Sequence, residues 1–316
     1  MEKEKLVVII GPTAVGKTRL SIELAKKFNG EVISGDSMQV YKGMDIGTAK
    51  ATKAEMDGIP HHLLDWKEPE DPFNVYDFKQ TVQETITDIT ERGKLPILVG
   101  GTGLYIQSVL YDYQFPDTSA NQDIRFKLEK QAADEGGESL YQSLVEIDPV
   151  AAEKIHPNNI KRVIRALEVY YSSGTKFSEM EMSNERTLKY EAAVIGLTME
   201  RELLYSRINK RVDVMLEAGL EQEVRFFYEK GLKDAQSMQA IGYKEFIDYF
   251  ESNKTLDEVV QDIKQNSRRF AKRQFTWFRN KMEVDWFDMT DLTSFEKKIE
   301  EISAHVAGLL HLKANR

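Results

Sequence analysis

Every position from Leu6 to Ile10 is apolar, most are β-branched, and Gly11 ends the run. A run apolar on both faces predicts a buried parallel strand. Further runs at Glu31–Ser34, Pro96–Val99, Ala192–Leu197 and Val284–Phe287 predict four more. Between them the spacing changes to that of a helix. Over Arg19–Phe28 the apolar positions are Leu20, Ile22, Leu24, Ala25 and Phe28, and Asn74–Arg92 reads the same way until Gly93 closes it. Strands alternating with helices imply an α/β fold with a doubly wound parallel sheet. The alternation breaks between about 113 and 186. Helical patterns occur there at Gln122–Glu135, Leu140–Ile147 and Ile160–Ser172, with no good strand. The expected organisation is therefore an α/β core of residues 1–112 and 187–316 with an inserted all-helical domain at 113–186. Past Glu200 the core turns mostly helical, with amphipathic runs at Arg201–Glu217 and Leu256–Trp277.

The chain has 316 residues, 41% of them hydrophobic, enough to build a proper core and to exclude wholesale disorder. It has no cysteine, which excludes disulfides, thiolate nucleophiles and thiolate zinc sites. No apolar run approaches the length that spans a bilayer, and the charged MEKEK start leads straight into the first strand, so a soluble cytoplasmic protein is expected. The net charge of −9 argues, taken alone, against a nucleic-acid partner.

The first strand opens onto Gly11-Pro12-Thr13-Ala14-Val15-Gly16-Lys17-Thr18, which fits G-x-x-x-x-G-K-[ST] and leads into a helix. That context makes the match a phosphate loop and the fold a P-loop-containing sheet. Glycines let successive backbone N–H groups turn inward on an anion, and the helix start adds partial positive charge. Lys17 supplies a mobile cation for a terminal phosphate, and the Thr18 hydroxyl is a ligand for Mg²⁺. Whose phosphates are held stays open at this point: an ATPase, a small-molecule kinase and a diphosphate-releasing transferase all use such a loop. Asp36 follows the second strand and faces the same crevice. It could hold the metal, take a proton from a nucleophile, or cap its own turn.

The segments GPTAVGKT, DSMQVY (Asp36–Tyr41), GTAK (Gly47–Lys50) and PHHLLD (Pro60–Asp65) resemble, in order and spacing, the tRNA dimethylallyltransferase family. The similarity continues through PILVGGTGLY (Pro96–Tyr105), IHPNNIKRVIRALEVY (Ile155–Tyr170), RVDVMLEAGL (Arg211–Leu220), QAIGYKE (Gln239–Glu245) and RRFAKRQFTWFR (Arg268–Arg279). The chain departs from the pattern at Val15 and Gly35. The resemblance implies that the loop grips dimethylallyl diphosphate rather than ATP, with Arg211 as a further diphosphate ligand. It implies that the exocyclic amine of the adenosine 3′ to the anticodon attacks the allylic carbon. Asp36 would then take the amine's proton, and Thr102 would hydrogen-bond near the amine. The DSMQ segment, Ser37 and Met38 included, would meet the extruded base, and Gln39 has the amide geometry to read an adenine edge. A monomer is expected on the resemblance alone.

The charge distribution removes the objection from net charge. From Lys264 to Met282 seven basic residues and no acid occur: Lys264, Arg268, Arg269, Lys272, Arg273, Arg279 and Lys281. Phe270, Phe275, Trp277 and Phe278 interleave, a composition that suits RNA backbone and unstacked bases, although aromatics at helical spacing also read as packing. Within it Arg268, Arg269, Lys272 and Arg273 are the candidate tRNA contacts. Lys161-Arg162-Val163-Ile164-Arg165 matches the family's tRNA-contacting block, and Arg125 is a further candidate. Acids gather elsewhere, at Glu129–Glu138, Glu179–Glu185 and Asp285–Glu301. His61 and His62 are adjacent and point to opposite faces of a strand, so a structural role is expected and a shared metal is not. Two other classes fit part of this pattern: a small-molecule phosphotransferase, and a non-catalytic RNA-binding switch governed by nucleotide. Adenylate isopentenyltransferases share the loop and DSMQ-like block, but the insertion and basic run favour tRNA.

Overall fold

The computed structural model of the chain describes residues 3–113, 122–183 and 187–313. It forms two compact units, Met1–Leu110 with Leu188–Arg316, and Tyr111–Thr187.

The larger unit begins with β1 (Lys5–Ile10), α1 (Lys17–Phe28), β2 (Gly30–Ser34), the single turn α2 (Lys53–Met56), β3 (His61–His62), α3 (Val75–Glu91), β4 (Leu95–Gly100) and α4 (Gly103–Leu110). The smaller unit is helical: α5 (Gln122–Glu135), α6 (Gly137–Ile147), α7 (Pro149–Lys154), α8 (Ile160–Ser173) and α9 (Phe177–Ser183). The larger unit resumes with β5 (Glu191–Thr198), α10 (Arg201–Glu217), α11 (Leu220–Glu229), α12 (Lys244–Phe250), α13 (Leu256–Lys281), β6 (Asp285–Asp288) and α14 (Phe295–Leu309).

All six strands are parallel, in the order β3-β2-β4-β1-β5-β6. The five strands expected from apolar runs are present, and β3 adds a two-residue edge too short to carry a periodicity. Side chains alternate across the sheet. Val7 and Ile9 of β1, Ile97 of β4 and Ala193, Ile195 and Leu197 of β5 share one apolar cluster with Leu20 and Leu24 of α1 and Ile302 and Val306 of α14. Helices α3 and α4 pack on each other and on β4 without joining that cluster, so the sheet is covered on both faces. The strand order reverses beside β1, and a crevice at the carboxyl ends of β1, β2 and β4 is where such a sheet binds ligands. Gly35 and Gly100 make the close approach there possible: a Cβ on Gly100 would lie 2.3 Å from the Gly35 carbonyl oxygen. At Gly35 itself, one of the two departures from the family pattern, a Cβ would meet the tip of the Ile106 side chain at 2.5 Å.

The smaller unit has its own core, which includes Leu128, Leu140, Leu144, Ile155, Val163, Ile164 and Leu167.

Away from the crevice, Glu31 of β2 is buried and lies among cations. It accepts from Arg92 Nη1 (2.5 Å) and Nη2 (2.8 Å) and from Lys94 Nζ (2.7 Å), and lies 2.7 Å from His62 Nε2. Hydrogen bonds from Arg92 hold its carboxyl well below the usual carboxylate range, against the opposing effect of burial. His62 thus serves this cluster, and among the described residues no group of three or more His, Asp or Glu side chains could hold a metal ion. A folded-state value below the ordinary 4.5 gives stability that is present above pH 4.5 and lost as pH falls further. Glu31→Gln is therefore expected to cost about 2–3 kcal/mol at pH 7. Chemical denaturation should show the gap from wild type closing below pH 4.5.

Candidate active site

The backbone after β1 curls tightly, with Ala14 at φ 65° and Gly16 at φ 110°, before α1 begins at Lys17. Lys17 reaches back and its Nζ donates to the carbonyls of Gly11 (2.9 Å) and Pro12 (2.8 Å). Gln274 of α13 braces the loop from the far side. Its Oε1 accepts from the Thr13 N–H (3.0 Å), and its Nε2 donates to the Gly101 carbonyl after β4 (3.0 Å).

Two cavities open over these loops. The first, about 680 Å³, is lined by Thr13, Ala14, Gly16, Lys17 and Thr18 of the loop, by Asp36, and by Arg207 and Arg211 of α10. The second, about 310 Å³, is lined by Asp36, Ser37, Met38 and Thr102, with Ser267, Phe270 and Arg273 from α13. The two share Thr13, Asp36, Thr48, Ala49, Arg211 and Phe270. Asp36 thus stands where a cation-lined space meets a second space of a different character. Its Oδ1 accepts from the Met38 N–H (2.8 Å), so it does cap its own turn, and this leaves Oδ2 for other work. Thr102 lies just before α4, and its Oγ1 accepts from the Ser37 N–H (3.3 Å), which ties the ends of β2 and β4 together.

The first cavity is electropositive at its floor. Burial lowers the Lys17 ammonium from 10.5 to about 8, against the pull of Asp36 and reinforced by Arg211. Burial also lowers the Arg211 guanidinium, with Glu55 and Asp36 opposing. Arg207 lies one helical turn before Arg211 and so on the same face of α10. Its Nη1 is buried with no hydrogen-bond partner among the described residues. Three half-buried cations, one with an unused buried donor, make a site that is stabilised by a multiply charged anion. Arg207→Met is expected to weaken binding of inorganic diphosphate about tenfold, the usual worth of one charge-assisted hydrogen bond. Calorimetric titration checks this, with the melting temperature of the free protein no lower than wild type.

The first half of the loop at 45–49, which borders both cavities, is held by one carboxylate. Glu223 of α11 accepts from the N–H groups of Asp45 (3.0 Å), Ile46 (2.8 Å) and Gly47 (3.0 Å) and from the Tyr243 hydroxyl. Arg207, Gln274 and Glu223 were not singled out from the sequence. Only Arg207 carried a signal there, its spacing of four from Arg211.

Several expected residues take different places. Gln39 lines the first cavity, not the second, and its amide is engaged: Oε1 accepts from Ser34 Oγ (3.0 Å), and Nε2 donates to the carbonyls of Thr48 (3.1 Å) and Ala49 (3.4 Å). It supports the 48–49 loop instead of presenting a free amide to a base. Val15 is buried in the core, and Pro12, having no N–H, contributes only its carbonyl, already taken by Lys17. On α13, Arg268 donates to Asn209 Oδ1 (2.6 Å) on α10, whereas Arg269, Lys272 and Arg273 are exposed and Arg273 lines the second cavity. In the smaller unit Val163 and Ile164 are core residues, because the helical period turns them inward, so their side chains cannot meet RNA. Lys161 and Arg162 are exposed, Arg165 pairs with the buried Glu168 (3.1 Å), and Arg125 pairs with Glu129 (3.0 Å). Part of the acidic stretch at Glu179–Glu185 lies outside the described residues.

The sequence pattern of the IPP transferase family matches residues 39–281. A tRNA dimethylallyltransferase of Geobacillus kaustophilus is 60% identical over 312 residues, 99% of each chain. The chain belongs to the IPP transferase family. Among solved structures, the tRNA isopentenylpyrophosphate transferase of Bacillus halodurans is similar with a TM-score of 0.75 and 55% identity, over 98% of this chain and 97% of that one. A eukaryotic dimethylallyltransferase acting on tRNA gives a TM-score of 0.82 at 34% identity, over 99% of this chain and 81% of that one. The family pattern begins at residue 39, past the glycine loop and Asp36. Full-length relatives extend the likeness over both.

Proposed function

We propose that this IPP transferase moves the dimethylallyl group of dimethylallyl diphosphate onto the N6 amine of the adenosine 3′ to the anticodon in tRNA. The observation that carries the reading is the junction of two cavities at Asp36, one floored by cations and one bordered by an exposed basic helix. The diphosphate occupies the first cavity, on the loop amides, Lys17, Arg211 and Arg207. As the carbon–oxygen bond breaks, its electron pair stays with the diphosphate, and these fixed cations stabilise the growing charge. The extruded adenine enters the second cavity near Ser37, Met38 and Thr102. Its amine is weak because its lone pair is conjugated with the ring, and it becomes acidic only as the new bond forms. The Asp36 carboxylate takes the proton at that stage.

Mg²⁺ fits this site on limited protein ligation. Thr18 lines the cavity, and with no carboxylate cluster to cage an ion among the described residues, the metal would draw most of its oxygens from diphosphate and water, as magnesium commonly does. It would supply further charge neutralisation on the leaving group. The exposed cations Arg269, Lys272 and Arg273, and in the smaller unit Lys161 and Arg162, with Arg125 and Arg165 beside their acidic partners, supply contacts to the RNA backbone. No helix among the described residues is long and apolar enough to cross a membrane. A cytoplasmic monomer is the form proposed.

The test is mass analysis of nucleosides from unmodified tRNA incubated with the protein, Mg²⁺ and labelled dimethylallyl diphosphate, without ATP. The expected result is one labelled five-carbon adenosine per tRNA. Phosphorylation of a small metabolite by ATP, with tRNA inert, would reverse the assignment.

A further inference from the structure

Ser267, Phe270, Gln274 and Trp277 recur at intervals of three and four along α13 and so form one stripe. Ser267 and Phe270 line the second cavity, and Gln274 is buried between Thr13 and Gly101. Trp277, one turn further, lays its indole edge on Gly103: a Cβ there would meet Cδ1 at 2.2 Å and Nε1 at 2.5 Å. Gly103 directly follows Thr102, a wall of the same cavity. The stripe thus leaves the cavity beside Thr102 and ends at the surface on Trp277, which is 37% exposed.

The neighbouring aromatics have other work. Phe278 is fully buried, and Phe275 meets Trp286 edge-on at 5.2 Å. The surroundings of Trp277 are basic: Arg269, Lys272, Arg273, Arg279 and Lys281 are exposed on the same helix, with no acid from 264 to 282. Packing against Gly103 uses the edge of the ring and does not explain why so much indole meets water among cations. An extruded adenine leaves its neighbours in the loop without a stacking partner. An exposed aromatic face among cations can replace that partner.

We propose that Trp277 is a stacking platform for a nucleobase adjoining the adenosine that enters the second cavity. This rests on the tRNA reading above, which the experiment tests separately. Full-length wild type, Trp277→Ala and Trp277→Phe are titrated with an unmodified anticodon stem-loop RNA. Two derivatives of that RNA, abasic at the 5′ or the 3′ neighbour of the target adenosine, are titrated alongside. Trp277→Ala is expected to bind the intact RNA roughly ten- to a hundredfold more weakly, and Trp277→Phe to recover most of the loss. One abasic RNA should weaken wild type by a similar factor yet lose nothing further with Trp277→Ala, which marks the two groups as partners. If Trp277→Ala does not fold, Trp277→Leu, which keeps apolar contact with Gly103 but has no π face, carries the same comparison. Equal discrimination between intact and abasic RNAs by wild type and variant overturns the proposal. A wild type that binds none of the three RNAs overturns the tRNA reading itself.

Discussion

Asp36→Asn lowers turnover at saturating substrates by roughly 10²–10⁴, the usual weight of a positioned base, and leaves tRNA affinity within about threefold. The substitution isolates proton acceptance because it keeps the shape. Oδ1 of Asp36 accepts from the Met38 N–H at 2.8 Å, and an asparagine carbonyl can make the same bond, so the turn after β2 survives. What is lost is an oxygen that can become protonated. The substitution also acts on the diphosphate cavity. The Asp36 charge raises the Lys17 ammonium toward its ordinary value. Removing that charge leaves Lys17 easier to deprotonate but also relieves repulsion of the prenyl diphosphate, so its KM reports the balance of two opposed effects. Single-turnover rates with donor and RNA both saturating separate this from the chemical step. Unchanged turnover would remove Asp36 as the base, and the second cavity would need another proton acceptor. A non-catalytic RNA-binding switch would show no turnover to lose, so the wild-type rate decides against that class first.

The parts of this site that could be read from the sequence are those fixed by local geometry. Leu6–Ile10 followed by Gly11 and Lys17-Thr18 specifies a buried strand, a curled loop and a helix start, and the structure has β1, the loop and α1 there. Asp36 could be placed at a strand end for the same reason. Of its three readings the turn cap is seen directly, since Oδ1 accepts from the Met38 N–H, and the residue lines both cavities as well. What could not be read depends on contacts distant in sequence. Gln274 sits in a run that looks uniformly basic and aromatic, yet it is the residue that joins Thr13 to Gly101. Glu223 looks like any surface acid of an amphipathic helix until the 45–47 amides arrive at it. Lys161-Arg162-Val163-Ile164-Arg165 is one block in sequence, whereas the helical period divides it into an inward and an outward face. Phe270 shows the same limit in reverse: aromatics at helical spacing usually pack, but this one lines both cavities.

Affinity for dimethylallyl diphosphate should be flat from pH 7 to about 8 and then fall by up to tenfold per pH unit. Lys17 in the free protein is lowered from 10.5 to about 8, mainly by burial. Its charged form is the one that holds the anion, and the bound diphosphate, adding negative charge beside it, raises its value again. Above pH 8 the free protein has lost the proton that the complex keeps, so binding takes up one proton and the dissociation constant climbs. Above pH 8 the donor is fully ionised, so the slope there reports the protein. Lys17→Met is expected to bind roughly a hundredfold more weakly at pH 7, as loss of a charge-assisted contact to a buried anion implies, and to show no slope between pH 8 and 10. Stability moves the other way. Because the folded-state value lies below the ordinary 10.5, the empty site opposes folding below pH 8, and that cost fades as pH rises toward 10.5. The empty Lys17→Met protein should therefore melt no lower than wild type at pH 7, although Lys17 gives up hydrogen bonds to Gly11 and Pro12. A slope that persists in Lys17→Met would assign the titration to another group and leave the loop without its proposed cation. Retained stability with lost affinity would instead mark Lys17 as a charge kept for the leaving group at the fold's expense.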